Sequence, residues 1–156
     1  MQKKQGISVE EAIKKLEYYC TYQDRCYKEV ISKLKSLGMY QDAINHILQH
    51  LTEHQFLDES RFAKSFARGK HIYKFWGRKR IEMELKMRDI STYNIKNALK
   101  EIETDYQKHF FELAEKKWQS ITADTLEKKK QKWIRYMQRK GYESSLIFEF
   151  INNYTD

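Results

Sequence analysis

The chain has 156 residues, with 30 Lys and Arg against 22 Asp and Glu for a formal net charge of +8, no proline and only 5 glycines. An apolar fraction of 40% with 14% aromatics excludes wholesale disorder. The shortage of turn formers excludes an all-β fold of many short hairpins, leaving an all-α protein of one domain or a few small repeats.

Residues 1–8 read MQKKQGIS and are expected to form an N-terminal tail without the apolar core of a signal peptide. Ser8 and Glu11 make a capping box ahead of Ala12, Ile13, Leu16, Tyr19 and Cys20, whose spacing predicts a first helix. Val30, Ile31, Leu34 and Leu37 predict a second, stopped at Gly38, where a left-handed residue fits. Ile44, Ile47, Leu48 and Leu51 line a third. Asp58 is placed to cap a fourth, which carries Phe62, Ala63, Phe66 and Ala67. Ile81 and Leu85 lie on a fifth, ending at Asp89, and Ser91 caps a sixth. Phe110, Phe111, Ala114 and Trp118 form the apolar stripe of a seventh. An eighth passes through Trp133 and Met137 to Gly141, and Ile147 and Ile151 mark a ninth.

These elements repeat. Lys28–Leu51, the stretch from Arg78 past Glu101, and Lys130–Tyr154 align without gaps at offsets of 51 and 52. Val30, Ile81 and Trp133 correspond, as do Leu34, Leu85 and Met137. The register continues through Met39, Ile90 and Tyr142, then Ile44, Ile95 and Ile147, then Leu48, Leu99 and Ile151, and every position is apolar in every copy. The expected organisation is three tandem three-helix repeats at 9–51, 52–103 and 104–156, stacked into an elongated, curved body. A unit this small needs its neighbours for stability.

The charge is unevenly placed. From Arg61 to Arg80 there are eight cations and no acid: Arg61, Lys64, Arg68, Lys70, Lys74, Arg78, Lys79 and Arg80. A second acid-free run holds Lys128, Lys129, Lys130, Lys132, Arg135, Arg139 and Lys140. Purely solvating helix faces usually alternate Glu with Lys, so these runs are candidate surfaces for an acidic partner protein or a phosphate backbone. Aromatics are interleaved with them. Trp133 lies on the core register, whereas Trp76 lies off it and is read as either core or contact.

Other chemistry is missing. Cys20 and Cys26, spaced C-x5-C, read as two thiols in a reducing cytoplasm. His46, His50 and His54 recur at i, i+4 and i+8 but without the Glu of a metalloprotease helix, so a surface face is the reading. No glycine-rich phosphate loop and no nucleophile–base pairing is present, and no stretch is long and apolar enough to span a bilayer. A non-enzymatic, cytoplasmic monomer without cofactor or metal is expected.

Leu57-Asp58-Glu59-Ser60-Arg61-Phe62-Ala63, followed by Phe66 and Arg68, resembles the LDD-x-RFA…F…R signature of the RecX regulatory proteins. Gly77-Arg78-Lys79-Arg80-Ile81 with Glu84, Leu85 and Ile90 is similar to that family's G-x-x-R-I…EL…GI segment, and Arg139-Lys140-Gly141-Tyr142 to its closing R-G-F/Y. The chain departs from the pattern at Phe75-Trp76, where the family often has Gly-Pro. It departs again at Arg88-Asp89-Ile90, where the family has KGI, and at Cys26, where a Ser cap is usual. The resemblance implies three-helix repeats and no catalysis. It also implies binding to the RecA recombinase filament on single-stranded DNA, mostly as an inhibitor. The alternative is a basic nucleic-acid-binding protein that acts without RecA. Of the matching residues, Phe62, Ala63, Ile81 and Leu85 suit the core, and Arg61, Arg68 and Arg80 are the contact candidates. Arg61 could equally pair with Asp58 across one helical turn.

Overall fold

A computed structural model describes residues 6–153, over which the chain forms nine α-helices and no strand. They are α1 (Val9–Tyr22), α2 (Tyr27–Ser36), α3 (Gln41–Glu53), α4 (Glu59–Lys74), α5 (Arg78–Met87), α6 (Thr92–Lys100), α7 (Tyr106–Ser120), α8 (Leu126–Lys140) and α9 (Ser144–Asn153). Residues 1–5 of the expected tail, and Tyr154 at the end of the third copy, lie outside the described residues.

Local chemistry sets the helix starts. Ser8, Asp58 and Ser91 each accept a hydrogen bond from the backbone N–H three residues on, at 3.1, 2.9 and 3.2 Å, which satisfies donors that an α-helix leaves unpaired. Cys26 cannot cap in this way, and α2 starts there through Glu29 instead. The Glu29 carboxylate accepts from the Cys26 N–H at 3.4 Å and from its thiol at 3.2 Å.

The stops of the middle helices repeat one motif. Gly38, Asp89 and Gly141 are equivalent positions, and all three have positive φ, at 82°, 58° and 95°. Beyond them the N–H groups of Met39, Ile90 and Tyr142 donate back to Leu34, Leu85 and Met137. The resulting Schellman turn joins the two apolar register positions on either side of it. α8 is one turn longer at its start than α2 or α5, matching the longer approach from α7.

The register residues form the core. Val30, Ile81, Trp133, Leu34, Leu85 and Met137 are fully buried, as are Ile44, Ile95 and Ile147 to within a few per cent. Helices within a unit make the densest packing. The buried residues nevertheless gather into two cores and not three. Ala12, Leu16, Val30, Leu34, Ile44, Ile47, Leu51 and their neighbours form one core. A second runs without a break from Phe62 to Ile151 and takes in Cys26 from the first unit. Phe111 departs from its expected stripe: it is 51% exposed and packs T-shaped on Phe150, because the core side of α7 is already filled by Phe110, Ala114 and Trp118.

Candidate partner and nucleic-acid interface

The basic runs meet where the second unit docks on the third. Arg78, Lys79 and Arg80 stand at the start of α5, where the helix dipole repels cations. The end of α8 offsets this repulsion. Its last carbonyls, on Arg139, Lys140 and Gly141, accept in succession from the Arg80 guanidinium at 3.2 Å, the Gly77 N–H at 2.7 Å and the Lys79 N–H at 3.0 Å. Unpaired donors of one helix thereby satisfy unpaired acceptors of another. The fit requires glycine on both sides. A Cβ on Gly77 would lie 2.4 Å from the Gly141 carbonyl oxygen, and one on Gly141 would lie 2.4 Å from the Arg80 Cβ.

A buried polar chain supports this contact. The Tyr106 hydroxyl accepts from the Arg78 N–H at 3.0 Å and donates to the Glu143 carboxylate at 3.0 Å. His71 stacks on the Tyr106 ring and is 2% exposed. Its Nδ1 faces the Trp76 carbonyl at 2.9 Å and must donate there, leaving Nε2 to accept from His109 Nδ1 at 2.8 Å. Burial holds the His71 imidazole below its ordinary range, with nearby His109 and Arg78 acting in the same direction.

Around the junction the cations divide into groups. Arg80 and Arg78 lie over the Trp76 and Tyr106 rings at 4.1 and 4.0 Å, so both act in the docking itself. Trp76 is half-buried, packed T-shaped on Phe66 with the Lys70 ammonium 5.1 Å from its ring, so part of the ring is in the core and part reaches solvent. Lys140 donates to the Lys74 carbonyl at 2.9 Å. Its ammonium is held below the usual range first by burial and then by Arg80, Lys74 and Lys117. Lys117, outside both basic runs, approaches the Tyr136 ring at 4.3 Å, and Lys140 approaches the same ring at 5.6 Å. Phe75, held left-handed at φ 60° at the end of α4, lines a groove of about 380 Å³ with Tyr136, Lys116, Lys117 and Glu112. Only the repeat contact between α7 and α8 brings Lys117 here, and no local sequence signal announces it.

The remaining candidates lie elsewhere. Arg61 pairs with Asp24 at 2.8 Å and donates to the Gln55 and Phe56 carbonyls, tying the first unit to the second; Asp58 takes the Arg61 backbone N–H and not its side chain. Arg68 pairs with Glu101 at 3.2 Å, and Lys64 is half-buried on α4. Lys128 pairs with Asp124, Lys129 lies over Trp118 and Lys132 donates to the Thr122 carbonyl. With Lys130 they occupy the first half of α8, about 12–18 Å along the axis from Lys140. Arg135 and Arg139 are exposed between the two groups. The histidines of α3 sit on the surface, His50 being 3.5 Å from Glu17 with its ring beside His54. Among the described residues no group of three or more His, Cys, Asp or Glu is placed to hold a metal ion, and no helix is long and apolar enough to cross a membrane.

Comparison with known proteins gives a consistent result. Residues 58–99 match the family model for the second three-helix domain of RecX, and residues 103–151 match the model for its third. The regulatory protein RecX of Vibrio campbellii is 33% identical over 125 residues, covering 80% of this chain and 79% of that protein. The crystal structure of RecX from Lactobacillus salivarius superposes with a TM-score of 0.78 at 26% identity, covering 93% of this chain and 95% of that one. A further crystal structure of regulatory protein RecX gives a TM-score of 0.82 at 23% identity, over 93% and 73% of the two chains.

Proposed function

The chain belongs to the RecX family of regulatory proteins, and on that premise we propose that it binds the RecA filament on single-stranded DNA and restrains its recombination and ATPase activities without catalysing a reaction itself. The observation that carries this reading is the docking of the start of α5 on the end of α8, which brings Arg78, Lys79 and Arg80 of the first basic run against Arg139 and Lys140 of the second. A helical protein filament with DNA at its axis presents an extended groove, acidic protein and phosphate together. A long body with fixed cations suits such a groove, because ordering costs are already met before binding. Lys74, Lys117, Arg135, Arg139 and Lys140 are the residues assigned to contact. Arg78 and Arg80 are assigned to positioning, and Arg61 to holding the first unit.

Nucleic-acid binding without RecA is the second reading, supported by Lys117 and Lys140 around the Tyr136 ring with Lys74 beside Lys140, where phosphate neutralisation and base stacking could occur side by side. One experiment separates the two. RecA's DNA-dependent ATPase and strand exchange are measured with substoichiometric protein, beside binding of the protein to bare oligo(dT) across a salt series. Restraint of RecA well below one copy per monomer is expected, and no effect at any ratio would sink the assignment. Lys74→Glu with Lys117→Glu should weaken DNA contact and lower the log–log salt slope by about one unit per lost phosphate contact.

A further inference from the structure

A repeated unit supplies its own controls. On α5 the core positions are filled by Ile81 and Leu85, yet Met83 and Met87, one turn apart on the outward face, are 53% and 59% exposed. The equivalent residues are Ser32 and Ser36 on α2, and Arg135 and Arg139 on α8, and all four are exposed. Two copies of the unit keep this face polar, as solvent demands, and the middle copy does not.

The two methionines line a shallow groove of about 480 Å³ with Lys79, Lys86 and Glu82. Its rim is basic. Lys79 and Lys86 are exposed, and Lys28 arrives from the first unit to donate to the Met87 carbonyl at 2.8 Å. Glu82 is the acid within the groove and is held by Lys86 at 3.0 Å. Asp89, past the helix end, stands 3.9 Å from Lys28.

We propose that this face of α5 docks an acidic segment of a partner protein bearing one or two large apolar side chains, with Met83 and Met87 as the anchors. The proposal rests on the RecA reading and deepens it by naming a protein-binding surface separate from the Tyr136 cluster. Exposed apolar side chains rimmed by charge mark protein-interaction sites, and the unbranched thioether adapts to an incoming apolar group. The lysine rim selects an acidic partner and speeds its approach. Single-stranded nucleic acid is the poorer fit, since bases stack on aromatic rings, and no aromatic residue lines this groove.

The test uses the full chain with Met83→Ser and Met87→Ser together, which installs the residues of the first unit at exposed positions. An unchanged urea midpoint verifies the fold. Binding is measured to three probes: RecA filaments on oligo(dT), a synthetic helical peptide with two Leu at i and i+4 among Glu residues, and bare oligo(dT). The expected result is a loss of about tenfold or more toward filament and peptide, with oligo(dT) binding unchanged. Equal losses on all three probes would assign the face to nucleic acid and overturn the proposal. Filament binding indifferent to both methionines would overturn it while leaving the RecA reading standing. Wild-type protein that captures the peptide in a methionine-dependent way yet ignores filaments would do the reverse.

Discussion

The two junctions between units are built from equivalent residues and hold in different ways. At the second, Gly77 faces Gly141, and backbone meets backbone through N–H···O=C bonds. At the first, the same positions are Cys26 and Asp89, whose side chains forbid that approach. The contact there passes to long charged groups: Lys28 to the Met87 carbonyl and Arg61 to Asp24. The Cys26 side chain inserts into the neighbouring core instead of leaving room for a carbonyl. Two clefts, of about 460 and 530 Å³, open beside Arg88 and Glu29. Two glycines thus decide whether adjacent units fuse into one core or meet across a charged seam.

The largest effect should come from Gly77→Ala. Gly77 has φ −82°, which any residue adopts, so the whole cost is steric: the new methyl must displace backbone. A loss of about 2–4 kcal/mol in urea unfolding is expected. Gly38→Ala is the matched control. It sits in open space at φ 82° and should lose only about 1–2 kcal/mol, for the left-handed backbone alone. Equal losses at the two sites would refute the idea that close approach matters at Gly77.

Tyr106→Phe should follow, at about 1–3 kcal/mol, because it strands both the Arg78 N–H and the Glu143 carboxylate. Tyr142 provides the contrast. Its buried hydroxyl has no hydrogen-bond partner among the described residues, so Tyr142→Phe should be neutral or slightly stabilising by the same assay. A loss there approaching that of Tyr106→Phe would mean the hydroxyl is satisfied after all.

These cases mark how far the sequence could be read. The register was legible because each copy repeats the same apolar spacing, and Trp133 is fully buried as its place in that register requires. The caps at Ser8, Asp58 and Ser91 were legible because capping is a contact over three residues. Gly77 was visible as a motif but without a reason, since its partner lies 64 residues away in the next unit. For the same reason no local signal marks Lys117, and Arg61 pairs with Asp24 and not with the nearby Asp58. Local rules predict helices and their ends, while the choice of partner across a junction depends on packing that only the fold defines.

His71 makes the second junction sensitive to acid. Its folded pKa is lowered from the ordinary 6.5, so the unfolded chain takes up a proton first. The stability it contributes is complete above 6.5 and declines as pH falls through 6.5 toward the folded value. A charged His71 would also turn a second N–H toward His109, which already donates to it. The urea midpoint should drop between pH 7.5 and 5, and His71→Phe should flatten that part of the profile. An unchanged slope in the variant would assign the sensitivity to other groups.

The smallest effect belongs to the first junction, and its salt dependence is the sharper observation. Asp24→Asn removes the charge that Arg61 meets, on a pair that is 43% and 29% exposed. About 0.2–1 kcal/mol is expected at low ionic strength. Near 1 M salt, where the screening length falls to about 3 Å, the difference should fade. The Gly77→Ala loss should persist there, because screening cannot relieve a steric overlap. If both losses shrank together with salt, the second junction would also be held by charge, and the distinction between a fused core and a charged seam would fail.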